Sequence, residues 1–187
     1  NQLGNPARGL EIFEKLISSN PTALESGEAL WYISSHNFQE NEYELACQKF
    51  LQFMLDFSGD ERSQIARLRI ADCFFELGNL DSAIKYYVDY RNRYPDDLPN
   101  LPYVLLRIGT VYANQPNSAI EARKAFSHII EKFPNAMPQV EIARKRLLDL
   151  GGVTVRDSGV KDQRTQLKVN STDLVRQTSE AGIGPIT

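Results

Sequence analysis

The chain has 187 residues with 42% hydrophobic and 24% charged side chains, enough to bury one sizeable core without a disulfide or a structural metal. A net charge of −3 lacks the basic excess of a general nucleic-acid binder, and no apolar run is long enough to span a bilayer as a helix. Asn1 to Arg8 carry neither a start Met nor a signal-peptide pattern, so the reading expects a processed or trimmed end.

Four segments end in matching words: Ser19-Asn20-Pro21, Asp56-Phe57-Ser58, Arg93-Tyr94-Pro95 and Lys132-Phe133-Pro134. Their spacings are 37, 37 and 39 residues. Twelve residues before each end stand Gly9, Ala46, Ala83 and Ala122, and eight before it stand Phe13, Phe50, Tyr87 and Phe126. Leu16, Phe53, Tyr90 and Ile129 follow at five before the end. Small, then aromatic at +4, then apolar at +7, lies on one face of a helix. Proline stops such a helix because it lacks an N–H and disfavours helical backbone in the residue before it.

Helices are also expected between these segments. The first, about 23 to 38, carries Leu30, Trp31, Ile33 and Phe38. The next, from Ile65 to Gly78, is apolar on more than one face, as suits a helix held between two neighbours. Gly78-Asn79 closes it, and Asp81 or Ser82 is expected to cap the helix that carries Ala83. A helix over about 99 to 114 has Pro99 and Pro102 at or before its first turn. Asn117 or Ser118 starts the helix that carries Ala122. A last helix, about 138 to 150, ends at Gly151-Gly152.

These residues resemble the tetratricopeptide motif. Ala71, Phe74, Gly78, Ala83, Tyr87 and Pro95 stand where that motif asks for them, and Gly109, Tyr112, Ala122, Phe126 and Pro134 repeat it with an insertion of one or two residues. Leu30 to Ser58 follows less closely, with Tyr43, Ala46 and Phe50 but Ser58 in place of proline. The resemblance covers roughly residues 6 to 150. It departs at Phe53, Tyr90 and Ile129, which are bulky where the family often has a second small residue. It implies an all-α fold: a right-handed superhelical stack of antiparallel helix pairs, an α-solenoid of about eight helices over residues 1–151. A narrower resemblance lies in Leu77 to Ile84, in Phe133 to Leu147, and in Arg93-Tyr94-Pro95 followed by Pro99-Asn100-Leu101-Pro102-Tyr103. These phrases look like bacterial periplasmic repeat proteins, namely outer-membrane β-barrel assembly lipoproteins (BamD-like) and Tol-Pal cell-division coordinators. That implies a periplasmic protein, anchored to the outer membrane through a lipid on a segment upstream of this chain. A cytoplasmic protein is the alternative.

A helical pair cannot bury its apolar face alone, so neighbours stack and leave an extended concave wall lined by the first helix of each pair. The helical period points Glu28, Trp31, Ser35 and Phe38 toward it, then Ile65, Leu68, Asp72 and Phe75, then Tyr103, Arg107 and Thr110. Within that set Trp31, Ser35, Leu68, Asp72, Tyr103, Arg107 and Thr110 are the candidate protein-binding residues. Trp31 and Tyr103 are natural anchors, being large with few rotamers to freeze. Packing under the N-terminal helix or against each other is the alternative for these aromatics, and core packing is favoured for Phe75. Chaperone-binding family members clamp a C-terminal carboxylate with Lys and Asn. Here only Arg69 and Arg107 could serve, so a chaperone C-terminus is not the expected ligand.

From residue 152 the composition turns to Ser, Thr, Asp, Gln and Lys without an aromatic, and a flexible or partner-ordered tail is expected over 152–187. Val153-Thr154-Val155 or Leu167-Lys168-Val169 could add to a partner as a short strand, and Asn170-Ser171-Thr172 matches a glycosylation acceptor. Cys47 and Cys73 read as small buried hydrophobes, with a disulfide as the alternative. His36 is expected at a helix end and His128 on an exposed face. Asp60-Glu61 and Asp96-Asp97 suit the positive ends of helix dipoles, and Arg144-Lys145-Arg146 a solvated or membrane-proximal face. No nucleotide loop or metalloprotease motif is written here. The expectation is a non-enzymatic scaffold that needs no cofactor or metal and binds other proteins. A structural subunit of a larger machine, held by its tail, is the alternative.

Overall fold

The computed structural model describes residues 6–151, and the tail readings on Val153–Val155, Leu167–Val169 and Asn170–Thr172 lie outside them. Among the described residues there are eight helices: α1 (Pro6–Ser19), α2 (Leu24–Gln39), α3 (Tyr43–Asp56), α4 (Ser63–Glu76), α5 (Leu80–Arg93), α6 (Leu101–Ala113), α7 (Ala119–Lys132) and α8 (Gln139–Asp149). Each helix packs chiefly on its neighbours in the chain, so this unit is an all-α stack of helical hairpins.

The four end-words stop α1, α3, α5 and α7 at their first residue. Phe57, Tyr94 and Phe133 follow the last three of these helices in nearly one conformation (φ −126, −124 and −129°), each donating its N–H to the carbonyl four residues back at 2.9 Å. Ala46, Ala83 and Ala122 are each the fourth residue of their helix and are fully buried. Each donates its N–H to the N-cap carbonyl, of Glu42, Asn79 and Ser118, at 2.9–3.0 Å. Successive layers therefore place the same atoms in the same surroundings. Phe50, Tyr87 and Phe126, and then Phe53, Tyr90 and Ile129, fill the space beyond at 0–1% exposure. Full burial of one such side chain is worth about 1.5–3 kcal/mol. The bulky Phe53, Tyr90 and Ile129 are thus core.

Within the pairs the turns also repeat. After α4, Gly78 takes a left-handed conformation (φ 74°), its N–H bonds to the carbonyl of Phe75, and the N–H of Asn79 bonds to that of Phe74. This is the Schellman arrangement, which satisfies two of the carbonyls left over at a helix end. After α2 the same pair of bonds runs from Asn41 to Phe38 and from Glu42 to Asn37, with Asn41 at φ 63° in place of glycine. Because the turn is so tight, α5 begins at Leu80, and Asn79 rather than Asp81 or Ser82 is its cap, accepting from the N–H of Ser82 at 3.1 Å.

Gly109, unlike Gly78, is needed for close packing rather than for a turn. It sits in α6 against Phe126, and a β-carbon there would lie 2.5 Å from the ring. Cys47 and Cys73 are buried free thiols, so no disulfide joins them. Burial pushes Cys47 up to about 11 and raises Cys73 as well, which keeps both protonated.

Candidate functional site

The first helices of the pairs, α2, α4 and α6, form a wall whose layers are joined by side chains. Three guanidinium groups do most of the joining. Arg62, just before α4, holds Glu28 of α2 through two nitrogens at 2.8 and 2.9 Å and Asp60 through two at 2.7 and 2.9 Å. It lies over the rings of Trp31 and Phe53, at 5.6 and 5.3 Å from their centres. Arg69 of α4 lies 5.2 Å from the centre of the Phe38 ring in α2. Arg107 of α6 lies 4.4 Å from that of Phe75 in α4 and donates to Glu76 at 3.2 Å. A planar cation over an aromatic face gains about 0.5–1 kcal/mol at a half-open site. The repeat register makes this a ladder: each arginine reaches back one layer to an aromatic of the preceding first helix.

Asp72 sits at the centre of the second layer at 1% exposure. Its carboxylate accepts from the hydroxyls of Tyr87 and Tyr103, both at 2.7 Å, and from Arg69 at 3.0 Å. Tyr103 in turn accepts from Nε of Arg107 at 2.9 Å. One carboxylate thereby ties α4, α5 and α6. Burial raises both tyrosines, with the Asp72 charge adding to it, and Tyr103 is pushed up to about 12. Both stay protonated donors at neutral pH. Tyr103 and its neighbours hold Arg107 above its ordinary range against the effect of burial, so it stays a cation.

Sequence reasoning placed seven candidates on this wall. Trp31, Ser35, Tyr103, Arg107 and Thr110 are half-buried on α2 and α6. Trp31 packs edge-on to Phe50 at 5.6 Å and tilted to Phe53 at 5.4 Å, both in α3. Leu68 and Asp72, at 4% and 1% exposure, are core residues rather than open wall. Leu68 and Asp72 face α5 and α6, which cover them: Leu68 belongs to one core cluster with Val104 and Ile108, and Asp72 takes the hydroxyls of Tyr87 and Tyr103. The side of α4 left accessible carries Ile65, Arg69 and Glu76 instead. Phe75, favoured as core, is half-buried under Arg107. Sequence reasoning missed the arginine ladder, although Arg69 and Arg107, 38 apart, and Phe38 and Phe75, 37 apart, share the period of the repeat.

Asp97 departs from a simple helix-start role. It accepts from Tyr90, from Gln64 at 2.7 Å and from Asn100 at 2.9 Å, fastening the α5–α6 connection to α4. Burial alone would raise its carboxyl; those three donors outweigh it and hold it below the usual range. His36 lies in the last turn of α2 and His128 is exposed on α7.

With this geometry in place, comparison with known families gives one match. Residues 66–97 and 103–136 each match the tetratricopeptide repeat. The first matched repeat runs from α4 through α5 to Asp97, and the second from α6 through α7 to Ala136. The α2–α3 pair lies outside the matched segments yet repeats the turn of α4–α5 and the alanine contact of both matched pairs. No curated protein matches the chain. Tetratricopeptide repeats generally mediate protein–protein interaction and are generally non-enzymatic scaffolds, which supports other proteins as partners. Among the described residues no helix is long and apolar enough to cross a membrane.

Proposed function

We propose that the chain is an interaction scaffold that seats a segment of a partner protein along the wall of α2, α4 and α6. The observation that carries this is the wall itself. In three successive layers half-buried aromatic rings and guanidinium groups are held in fixed positions by contacts between layers. A partner that docks there meets side chains whose rotamers are already frozen, which lowers the ordering cost of binding. We further propose that the complex belongs to a bacterial cell envelope, such as the machinery that assembles outer-membrane proteins, and that the chain is periplasmic. The phrases Leu77–Ile84 and Arg93–Tyr103, which resemble BamD-like and Tol-Pal coordinator proteins, support that context.

The test is capture of partners by the full chain carrying Ser35→Glu or Thr110→Glu. Both residues are half-buried wall positions, and the Thr110 hydroxyl bonds only to the Leu106 carbonyl of its own helix. Leu45→Glu, on the exposed side of α3, is the control. Loss of the same partner from both wall variants, with retention by the control, supports wall docking. Retention by the wall variants and loss on deleting residues 153–187 would instead identify a subunit held by its tail. Fractionation of cells that express the chain from its own locus tests the compartment, and a cytoplasmic signal would refute the envelope reading.

A further inference from the structure

Away from the wall, a groove runs between the α5–α6 connection and the α7–α8 connection, mostly apolar at its Leu101–Leu105 end and more polar at its Asn135–Gln139 end. It consists of two adjoining hollows of about 540 and 420 Å³ that share Leu98, Lys132 and Phe133. Leu98 is 62% exposed and Met137, at its far end, 53%. Large apolar side chains grouped in a concavity mark an interaction site more often than scattered ones do. Pro95, Pro99 and Pro134 line it as well, and their fixed φ angles give the groove a set shape before anything binds.

The charged side chains that line the groove are both cations, although Asp96, Asp97 and Glu131 stand next to lining residues in the chain. Arg91, His128 and Lys132 line it, and no carboxylate does. Among the described residues neither Arg91 nor Lys132 has an acidic partner within 4.0 Å, although the chain as a whole carries net charge −3. Arg91 and Lys132 stand in the last turns of α5 and α7, where the helix dipole already favours a cation. The dipole accounts for the positive charge. It does not account for exposed Leu98 and Met137 beside it. On the wall, by contrast, each guanidinium of the ladder already has a carboxylate.

We infer that this groove is a second docking site, separate from the wall, for a protein segment in which apolar side chains alternate with Asp or Glu. The apolar side chains seat on Leu98, Phe133 and Met137, and the carboxylates face Arg91 and Lys132. Charge complementarity selects the partner, and burial of apolar surface holds it.

The test uses the full chain, isotope-labelled for NMR, and two synthetic peptides: one alternating Leu and Phe with Glu, the other with Lys in place of every Glu. The Glu peptide is expected to shift the resonances of Leu98, Phe133 and Met137 saturably, and to bind at least about tenfold more tightly than the Lys peptide. Arg91→Gln with Lys132→Gln is expected to remove most of that preference. Leu98→Ser is expected to weaken the Glu peptide while the thermal midpoint stays in place. The inference is overturned if neither peptide shifts these resonances or if both bind alike. Shifts that map to Trp31 and Arg107 instead, or neutralised cations that leave the preference intact, would overturn it equally.

Discussion

Gly109→Ala is expected to destabilise the chain, against the usual benefit of replacing glycine inside a helix. The added methyl would lie 2.5, 2.8 and 2.9 Å from three carbons of the Phe126 ring. Carbon contacts shorter than 3.0 Å do not persist, and Phe126 is fully buried, so the ring has no free volume to enter. Overpacking of this kind costs about 1–3 kcal/mol. Higher helix propensity returns about 1 kcal/mol. With three ring atoms inside the limit, the net loss is about 1–2 kcal/mol, a fall in thermal midpoint of about 2–8 °C for a unit of this size. Gly9→Ala and Gly27→Ala calibrate it. Nothing lies within 4 Å of a β-carbon at Gly9, so alanine there is neutral or stabilising by up to about 1 kcal/mol. At Gly27 the nearest atoms are ring carbons of half-buried Phe57 at 3.1 Å, which can yield a few tenths of an ångström, so the change falls between the other two. Urea unfolding of the three variants, followed by circular dichroism, gives the order Gly9→Ala, Gly27→Ala, Gly109→Ala from most to least stable. Gly109→Ala as stable as the parent would refute the close-approach argument.

Asp72→Ala leaves two tyrosine hydroxyls without their acceptor in the core, so urea unfolding should show a loss of about 2–4 kcal/mol, with Tyr103→Phe near 1 kcal/mol. A double-mutant cycle on Arg107→Met and Phe75→Leu should give a coupling of about 0.5–1 kcal/mol, and additivity would show that the ladder contributes nothing. The Asp97 carboxyl lies below its ordinary 3.8 in the native state. Its contribution is therefore fully present above pH 3.8 and is lost as the pH falls through the native value, so Asp97→Asn should flatten the acid limb of a stability-against-pH curve. Cys47 and Cys73 should not react with a thiol reagent at pH 8 in the native chain, and both should react in urea, because burial keeps them protonated and covered.

The repeat was legible because packing imposes it locally. Ala46 is small because the neighbouring helix leaves no room, Phe50 is large because the gap beyond must be filled, and both requirements recur with the layer. The stops of α1, α5 and α7 were legible for the same reason, since a proline cannot continue a helix and disfavours helical backbone in the residue before it. What escaped was set by partners distant in the chain. Asp72 looks like a wall residue from α4 alone. It is buried because Tyr87, 15 residues on, and Tyr103, 31 residues on, each bring it a hydroxyl. Leu68 was misplaced because helical period shows that residues share a face but not which neighbour covers that face. Asn41 went unnoticed as a turn residue because only its left-handed backbone shows that it does the work of Gly78. The groove escaped although Leu98 and Met137 each follow an end-word proline by three residues, because the period does not show that the two connections lie side by side.

The two surfaces differ in what a partner must displace. On the wall, the carboxylates of Glu28, Asp60, Asp72 and Glu76 already engage Arg62, Arg69 and Arg107. An acidic ligand there would exchange one ion pair for another and gain little net energy. Affinity on the wall must then come from apolar contact with Trp31 and Phe75 and from fit to a surface that is already rigid. Arg91 and Lys132 in the groove have no such internal rivals among the described residues, so each carboxylate brought to them adds attraction. This difference makes ionic strength a discriminator. Between 50 and 500 mM salt, a ligand on the wall should keep its affinity within a small factor, whereas one in the groove should lose most of its charge preference as the screening length falls below about 10 Å. Equal salt dependence at the two places would mean that the wall charges are not in fact engaged with one another in solution.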